Sequence, residues 1–376
     1  MRTLGIGVVG AGFMGKTHTY NYVNMPLFYD NLPVRIKLIG ICSRTLSKAE
    51  KLRDDFGYEF ATTNYEDLLD RKDIDIIDIC TPNCAHHNQI MKALDAGKHL
   101  YVDKPLCITD EEADEVVAKS QGLDLINMVA YHNRFYPAIE KMKQLVEEGF
   151  LGRPLFFRLC YYHASNLNPD IYRGWRQELD SAGGGVLYDM GSHILDLLYY
   201  IFGDYEKGHM QSMILYPQRP GKDGKPQQVL AEDHVLINAV MKNGSFGTLE
   251  ASKVIAGSND DLIVELYGEK GSIKFNLMDP NFLYIYDTRD PSEPIGGMRG
   301  FRALETINKD PDSKGHFPGQ RFGIGWLRGH IASQYSFVIS VVEGKSASPD
   351  FKDGAYIQKV MNRLYQSSKT GEWVSF

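Results

Sequence analysis

Over the first 130 residues, short β-type runs alternate with amphipathic helical runs, and nothing else in the chain constrains its fold so tightly. Gly5–Val9 predicts a strand, Phe13–Val23 a helix, Ile36–Cys42 a strand and Ser47–Phe56 a helix. Ile74–Cys80, His99–Val102 and Leu125–Ala130 continue the strand series, with helices over Ala85–Ala96 and Asp110–Ser120. Strands that each return through a helix lie parallel, in a sheet covered on both faces. A longer helix over Pro137–Glu148 ends at Gly149. After Gly152 the pattern changes. Strand-like runs follow one another at Leu155–Tyr161, Gly208–Tyr216, His234–Met241, Gly247–Val254, Leu262–Tyr267, Ser272–Asn276 and Phe282–Tyr286. Gly268, Gly271 and Asn243-Gly244 mark turns between some of them, as in a mostly antiparallel sheet. Pro217–Glu232 and Thr288–Gly325 read as long loops, and helices over Ile331–Val342 and Phe351–Ser367 close the chain.

The glycine signature sits at the head of this alternation. Gly10-Ala11-Gly12-Phe13-Met14-Gly15 follows the first strand and opens the first helix. There, glycines permit a tight turn and close approach to a pyrophosphate, and the helix N-terminus supplies free N–H groups. The same stretch also satisfies a P-loop pattern through Gly10, Gly15, Lys16 and Thr17, with Asp78 as a magnesium ligand. Phe13 and Met14 argue against that alternative, since a phosphate-wrapping loop prefers small residues at their positions. The second strand ends Ser43-Arg44-Thr45, without the acidic residue that holds an adenosine ribose in NAD-preferring domains. Ser43, Arg44 and Lys48 are suited to a 2′-phosphate, so NADP is favoured over NAD.

A second constellation is Gly183-Gly184-Gly185-Val186-Leu187-Tyr188-Asp189-Met190-Gly191-Ser192-His193. On a helix, Asp189 and His193 share one face, a spacing suited to proton transfer. A buried helix with one satisfied histidine is the competing reading.

Composition excludes several classes. The 376 residues carry a formal charge of −7 with no long basic run, which argues against nucleic acid and anionic membrane as partners. No run approaches the length of a membrane span, and the glycines near the N-terminus interrupt any signal-peptide core. Five cysteines without a signal peptide predict reduced thiols and a cytoplasmic chain. Cys80 and Cys84 flank Thr81-Pro82-Asn83 with no further ligands at metal spacing, so no metal site is expected.

Together these motifs resemble the Gfo/Idh/MocA oxidoreductases, the family of glucose–fructose oxidoreductase and inositol dehydrogenase. The resemblance rests on the Gly10/Gly12/Gly15 loop, Thr81-Pro82-Asn83 with His86, Asp103-Lys104-Pro105, and the Gly183–His193 segment. The chain departs from the family pattern at Asp103, where glutamate is usual. The resemblance implies an α/β chain with an N-terminal Rossmann dinucleotide-binding domain, 1–130. An α/β domain with a large, mostly antiparallel open sheet, 131–376, would bind substrate and mediate a homo-oligomer, dimer or tetramer.

The same resemblance implies that Lys104, Asp189 and His193 form the catalytic group on a sugar, cyclitol or related polyol. His193 is the general base, Lys104 steadies the developing negative charge, and Asp189 binds a substrate hydroxyl or orients the pair. Pro105 is expected to follow a cis bond. Phe13, Met14, Thr81, Pro82, Asn83, His86 and Asp103 are placed beside the cofactor, and Trp175-Arg176 resembles a family segment near it. Tyr131, Asn133, Arg134 and Tyr162 are candidates to face substrate, as are Tyr161 and His163. Substrate choice is assigned to the sheet face and to the loop bearing Arg299, Arg302, His316, Arg321, Phe322 and Trp326. Two other activities stay open: a redox-neutral glycosidase on the same fold, and a non-catalytic dinucleotide sensor.

Overall fold

The computed structural model describes residues 1–307 and 322–376, so His316 and Arg321 lie outside the described residues. The chain forms two compact units that interleave in sequence. The first takes Met1–Phe135 and Trp326–Gln358 among the described residues, and the second takes most of the remainder.

In the first unit, β1 (Arg2–Val9), β2 (Val34–Cys42), β3 (Phe60–Thr62), β4 (Ile76–Ile79), β5 (His99–Val102) and β6 (Asn127–Val129) form one sheet. Its order is β3-β2-β1-β4-β5-β6, with every neighbouring pair parallel. This is the doubly wound dinucleotide arrangement, and its order reverses between β1 and β4. All four residues of β4 are buried, as a strand covered on both faces requires. β3 has only three residues, too few to show a period in the sequence.

The helix Leu327–Glu343 returns to this unit, whereas the sequence reading placed it within a contiguous 131–376 domain. Its Ile331, Phe337, Val338 and Val341 join the core built on Leu4, Ile6 and Val8. Tyr335 stacks on Tyr29 at 3.6 Å, and Asn21 Nδ2 donates to Gln334 Oε1 at 2.6 Å. Periodicity identifies an amphipathic helix but not which core its apolar face covers.

A buried ion pair, His18 Nδ1 to Asp78 Oδ1 at 2.8 Å, joins the helix Phe13–Phe28 to β4. Burial opposes the charge on His18, but Asp78 outweighs it and holds the imidazole above its ordinary value. A histidine whose pKa is raised by folding binds its proton more tightly in the native state. The pair therefore stabilises fully below the ordinary histidine value, and the contribution is lost as pH rises through the raised one. Asp78→Asn should cost about 3 kcal/mol near pH 6, and less at higher pH, in urea titrations. A loss that is the same at every pH would contradict this account.

In the second unit, β7 (Pro154–Tyr162), β8 (Tyr205–Met213), β11 (His234–Met241), β12 (Phe246–Ser252), β13 (Asp261–Gly268), β14 (Gly271–Asn276), β15 (Phe282–Asp287), β16 (Arg302–Glu305) and β17 (Val374–Ser375) form one sheet. The order is β16-β15-β14-β13-β7-β12-β11-β8-β17. Every neighbouring pair is antiparallel except β7 with β12. Alternating burial along β11 to β14 shows one face packed and the other open. The loop read over Pro217–Glu232 contains a small hairpin, β9 (Gln218–Pro220) with β10 (Pro226–Gln228). Arg219 in that hairpin is almost wholly buried and donates to the carbonyls of Asn166 and Asn168. It thereby ties the hairpin to the segment leading to Trp175.

Candidate functional site

The dinucleotide end of the first unit is built on the glycine loop at the β1/β4 switch point. Gly10 has φ +111°, and a Cβ there would stand 2.4 Å from the Cys80 carbonyl oxygen. A Cβ on Gly15 would stand 1.8 Å from the Gly10 carbonyl oxygen, so both positions exclude side chains. Gly12 differs: nothing lies within 4 Å of its Cβ position. It is also the N-cap of the helix Phe13–Phe28, with no side chain to offer the first-turn N–H groups. Open space over uncapped N–H groups fits a pyrophosphate.

The P-loop alternative fails on geometry. The strand ends at Val9 and the helix begins at Phe13, so Gly15, Lys16 and Thr17 already lie within the first two turns. Thr17 Oγ1 donates to the Phe13 carbonyl, and Asp78 faces His18 in the interior.

Around this loop, Phe13 is exposed and Met14 half-buried. At the end of β2, Ser43 is half-buried, while Arg44 and Lys48 are exposed. Thr81 and Pro82 follow β4 half-buried, Thr81 Oγ1 donates to Gln89 Oε1, and Asn83 is buried at the start of a short 3₁₀ turn. His86 is wholly buried, with Nδ1 2.9 Å from the Pro105 carbonyl and Nε2 3.0 Å from the Thr81 carbonyl. Both ring nitrogens are thus used within the fold, and His86 braces the Thr81 loop against the Asp103-Lys104-Pro105 loop. Asp103 Oδ1 accepts the Lys104 backbone N–H at 2.9 Å, and the Lys104–Pro105 bond is cis.

His18, Asp78 and Cys80 are the only described trio of such groups close enough to hold a metal. Their donor atoms lie 2.8, 3.1 and 3.2 Å apart, within hydrogen-bond distance of one another. Tyr131, Asn133 and Arg134 are buried. Arg134 Nη1 reaches Ser348 Oγ at 3.3 Å and Asp353 Oδ2 at 3.4 Å.

The second unit holds the Gly183–His193 segment. Leu187–Gly191 is π-helical and Ser192–Phe202 continues as α-helix, so Asp189 sits in a wider turn than the simple helical spacing assumes. The segment is anchored by Glu232. Its carboxylate accepts from Leu187 N at 2.9 Å, Gly185 N at 3.1 Å and the Tyr365 hydroxyl at 2.8 Å. Burial pushes the Glu232 carboxyl above its ordinary value, and these donors pull it back. The Glu232 backbone packs so close to Gly185 that a Cβ there would lie 2.2 Å from its carbonyl oxygen. That contact accounts for at least one of the three glycines.

Asp189 is gripped by two cations. Lys253 Nζ lies 2.7 Å from Oδ2, and Arg176 Nε lies 3.5 Å from Oδ1. Arg176 also covers the Trp175 ring at 4.5 Å. His193 is buried and meets the Tyr161 ring edge-on at 5.9 Å. The Tyr161 hydroxyl donates to Asp260 at 2.7 Å, and His163 Nε2 lies 2.9 Å from the same oxygen. Burial and Asp260 hold the Tyr161 phenol well above its ordinary value, so it remains a donor.

Tyr161 and Tyr162 are separated by the pleat. Successive strand residues face opposite ways, and Tyr162 donates to Glu250 on the face away from His193. Lys253, Glu232 and Asp260 carry no local motif, and sequence reading passed over all three.

Residues 4–131 match the family described as "Oxidoreductase family, NAD-binding Rossmann fold", and residues 139–274 match "GFO/IDH/MocA C-terminal domain". Levoglucosan dehydrogenase of Pseudarthrobacter phenanthrenivorans is 32% identical over 100% of this chain and 98% of its own length. D-glucoside 3-dehydrogenase of Escherichia coli is 25% identical over 98% of this chain and 96% of its own. A solved structure of levoglucosan dehydrogenase with NADH and levoglucosan superposes with TM-score 0.95 at 31% identity, covering 100% of this chain and 99% of that one.

Proposed function

The chain belongs to the GFO/IDH/MocA family of NAD-binding oxidoreductases, and on that footing we propose that it oxidises a secondary hydroxyl of a neutral pyranose, with Lys104, Asp189 and His193 acting on the substrate. The unit of Met1–Phe135 with Trp326–Gln358 takes the dinucleotide, and the other unit supplies the substrate domain. The glycine loop Gly10–Gly15 would hold the dinucleotide, whose nicotinamide would supply the hydride acceptor for the carbinol carbon. His193, neutral, takes the hydroxyl proton at a ring nitrogen as the C–H bond breaks. The Lys104 ammonium donates to the same oxygen and stabilises the negative charge that grows there. The product is a ketone.

The observation that carries this reading is the double ion pair on Asp189. Both carboxylate oxygens face cations, so the group serves as a hydrogen-bond acceptor at this site. Asp189 is therefore suited to hold a sugar hydroxyl, and His193 is the nearby group suited to take the proton. The names of the relatives, a levoglucosan and a glucoside dehydrogenase, support a pyranose as the substrate class. The test is turnover with levoglucosan, a methyl glucoside and myo-inositol. No turnover of any of them, with dinucleotide bound, would overturn the proposal.

The end of β2 supports acceptance of NADP alongside NAD. No carboxylate follows Cys42, and Arg44 and Lys48 are exposed beside Ser43. The exposed aromatics Phe246 on β12 and Trp373 just before β17 support a homo-oligomer, and the native mass of the purified chain checks it. A mass of one chain would contradict it. The five free cysteines suit a reducing cytoplasm.

A further inference from the structure

Lys253 is the less exposed of the two cations described on Asp189. Its side chain is 8% exposed, against 44% for Arg176. Its backbone is fixed on both sides: Lys253 N donates to the Asp233 carbonyl and Lys253 O accepts from Asn166 N, each at 2.9 Å. The Asp233 carboxylate in turn accepts from Asn166 Nδ2 at 2.7 Å and from Leu215 N at 2.9 Å. The lysine thus projects from a braced point just after β12. Burying an ammonium is costly unless an anion meets it, and Asp189 Oδ2 is that anion at 2.7 Å.

We propose that Lys253 is a positioning residue for the reaction, holding Oδ2 of Asp189 so that the carboxylate faces the substrate hydroxyl in one orientation. Arg176, more exposed and 3.5 Å from Oδ1, holds the other oxygen more loosely. Without Lys253 the carboxylate swings towards Arg176, and the hydroxyl it should hold is misplaced. The proposal rests on the reading of Asp189 as a substrate-binding group.

The test is a double-mutant cycle on the full-length protein, using whichever of levoglucosan, methyl glucoside and myo-inositol the wild type turns over. Lys253→Met should lower kcat/KM by about 10- to 100-fold, as expected for misplacement of a substrate-holding group. The loss should fall in the same parameter, kcat or KM, that Asp189→Asn affects. Adding Lys253→Met to Asp189→Asn should cost little more, because the lysine acts only through that carboxylate. Lys253→Arg should recover much of the activity, which a purely volumetric role would not produce. Melting temperature and NADH affinity, measured on each variant, report whether the fold and the dinucleotide site survive. Additive losses, or wild-type kinetics in Lys253→Met alongside a defective Asp189→Asn, would overturn the role of Lys253 alone. Wild-type kinetics in Asp189→Asn would instead overturn the reading of the site beneath it.

Discussion

Lys104→Ala lowers kcat by about 10²- to 10³-fold, the cost of removing one donor aimed at a developing oxyanion. Dinucleotide affinity, read from NADH fluorescence, stays within about threefold of wild type, because the loss falls on the transition state. The structure makes this a test of the ammonium rather than of the loop. The Lys104 backbone N–H is held by Asp103 Oδ1, and His86 braces the neighbouring Pro105 carbonyl, so neither tie needs the Lys104 side chain. Lys104→Met, which keeps most of the side-chain volume, should lose nearly as much. An alanine variant with wild-type kcat would remove Lys104 from the chemistry.

His193→Ala should cost about 10²- to 10⁴-fold in kcat, the usual contribution of a positioned general base. A base works unprotonated, so wild-type activity rises as pH climbs through the imidazole range, and the variant should lose that rising limb. Small exogenous amines should restore part of the rate by occupying the cavity left beside Tyr161. The structure limits collateral damage, since the segment is anchored upstream through Glu232 rather than through His193. An unchanged pH profile in the variant would assign the proton to another group.

The chemistry of this chain is legible in sequence where backbone geometry demands a residue type. Gly10 and Gly15 are readable because close carbonyls forbid side chains there, and the strand–helix alternation follows from burial on both sheet faces. Asp103-Lys104-Pro105 and Asp189 with His193 are short enough to be read as local motifs. What the sequence hides is long-range pairing. Lys253 lies 64 residues beyond Asp189 and looks like any lysine after a strand until the fold closes the 2.7 Å contact. Tyr161 and Tyr162 are equivalent in sequence, and only the register of β7 decides which one meets His193. The π turn at Leu187–Gly191 is similarly unreadable, because it depends on carbonyl pairing rather than residue type. Leu327–Glu343 shows the same limit on a larger scale, with an amphipathic face evident and its destination hidden.

The central claim is dehydrogenation of a sugar hydroxyl, and one measurement bears on it most directly. Purified protein is mixed with NAD⁺ or NADP⁺ and, in turn, levoglucosan, a methyl glucoside and myo-inositol, and the reduced-nicotinamide absorbance band is followed. The account predicts growth of the band with at least one pyranose, with NADP⁺ serving as well as NAD⁺. A flat trace with every sugar and both cofactors, in protein shown to bind the dinucleotide, would contradict it.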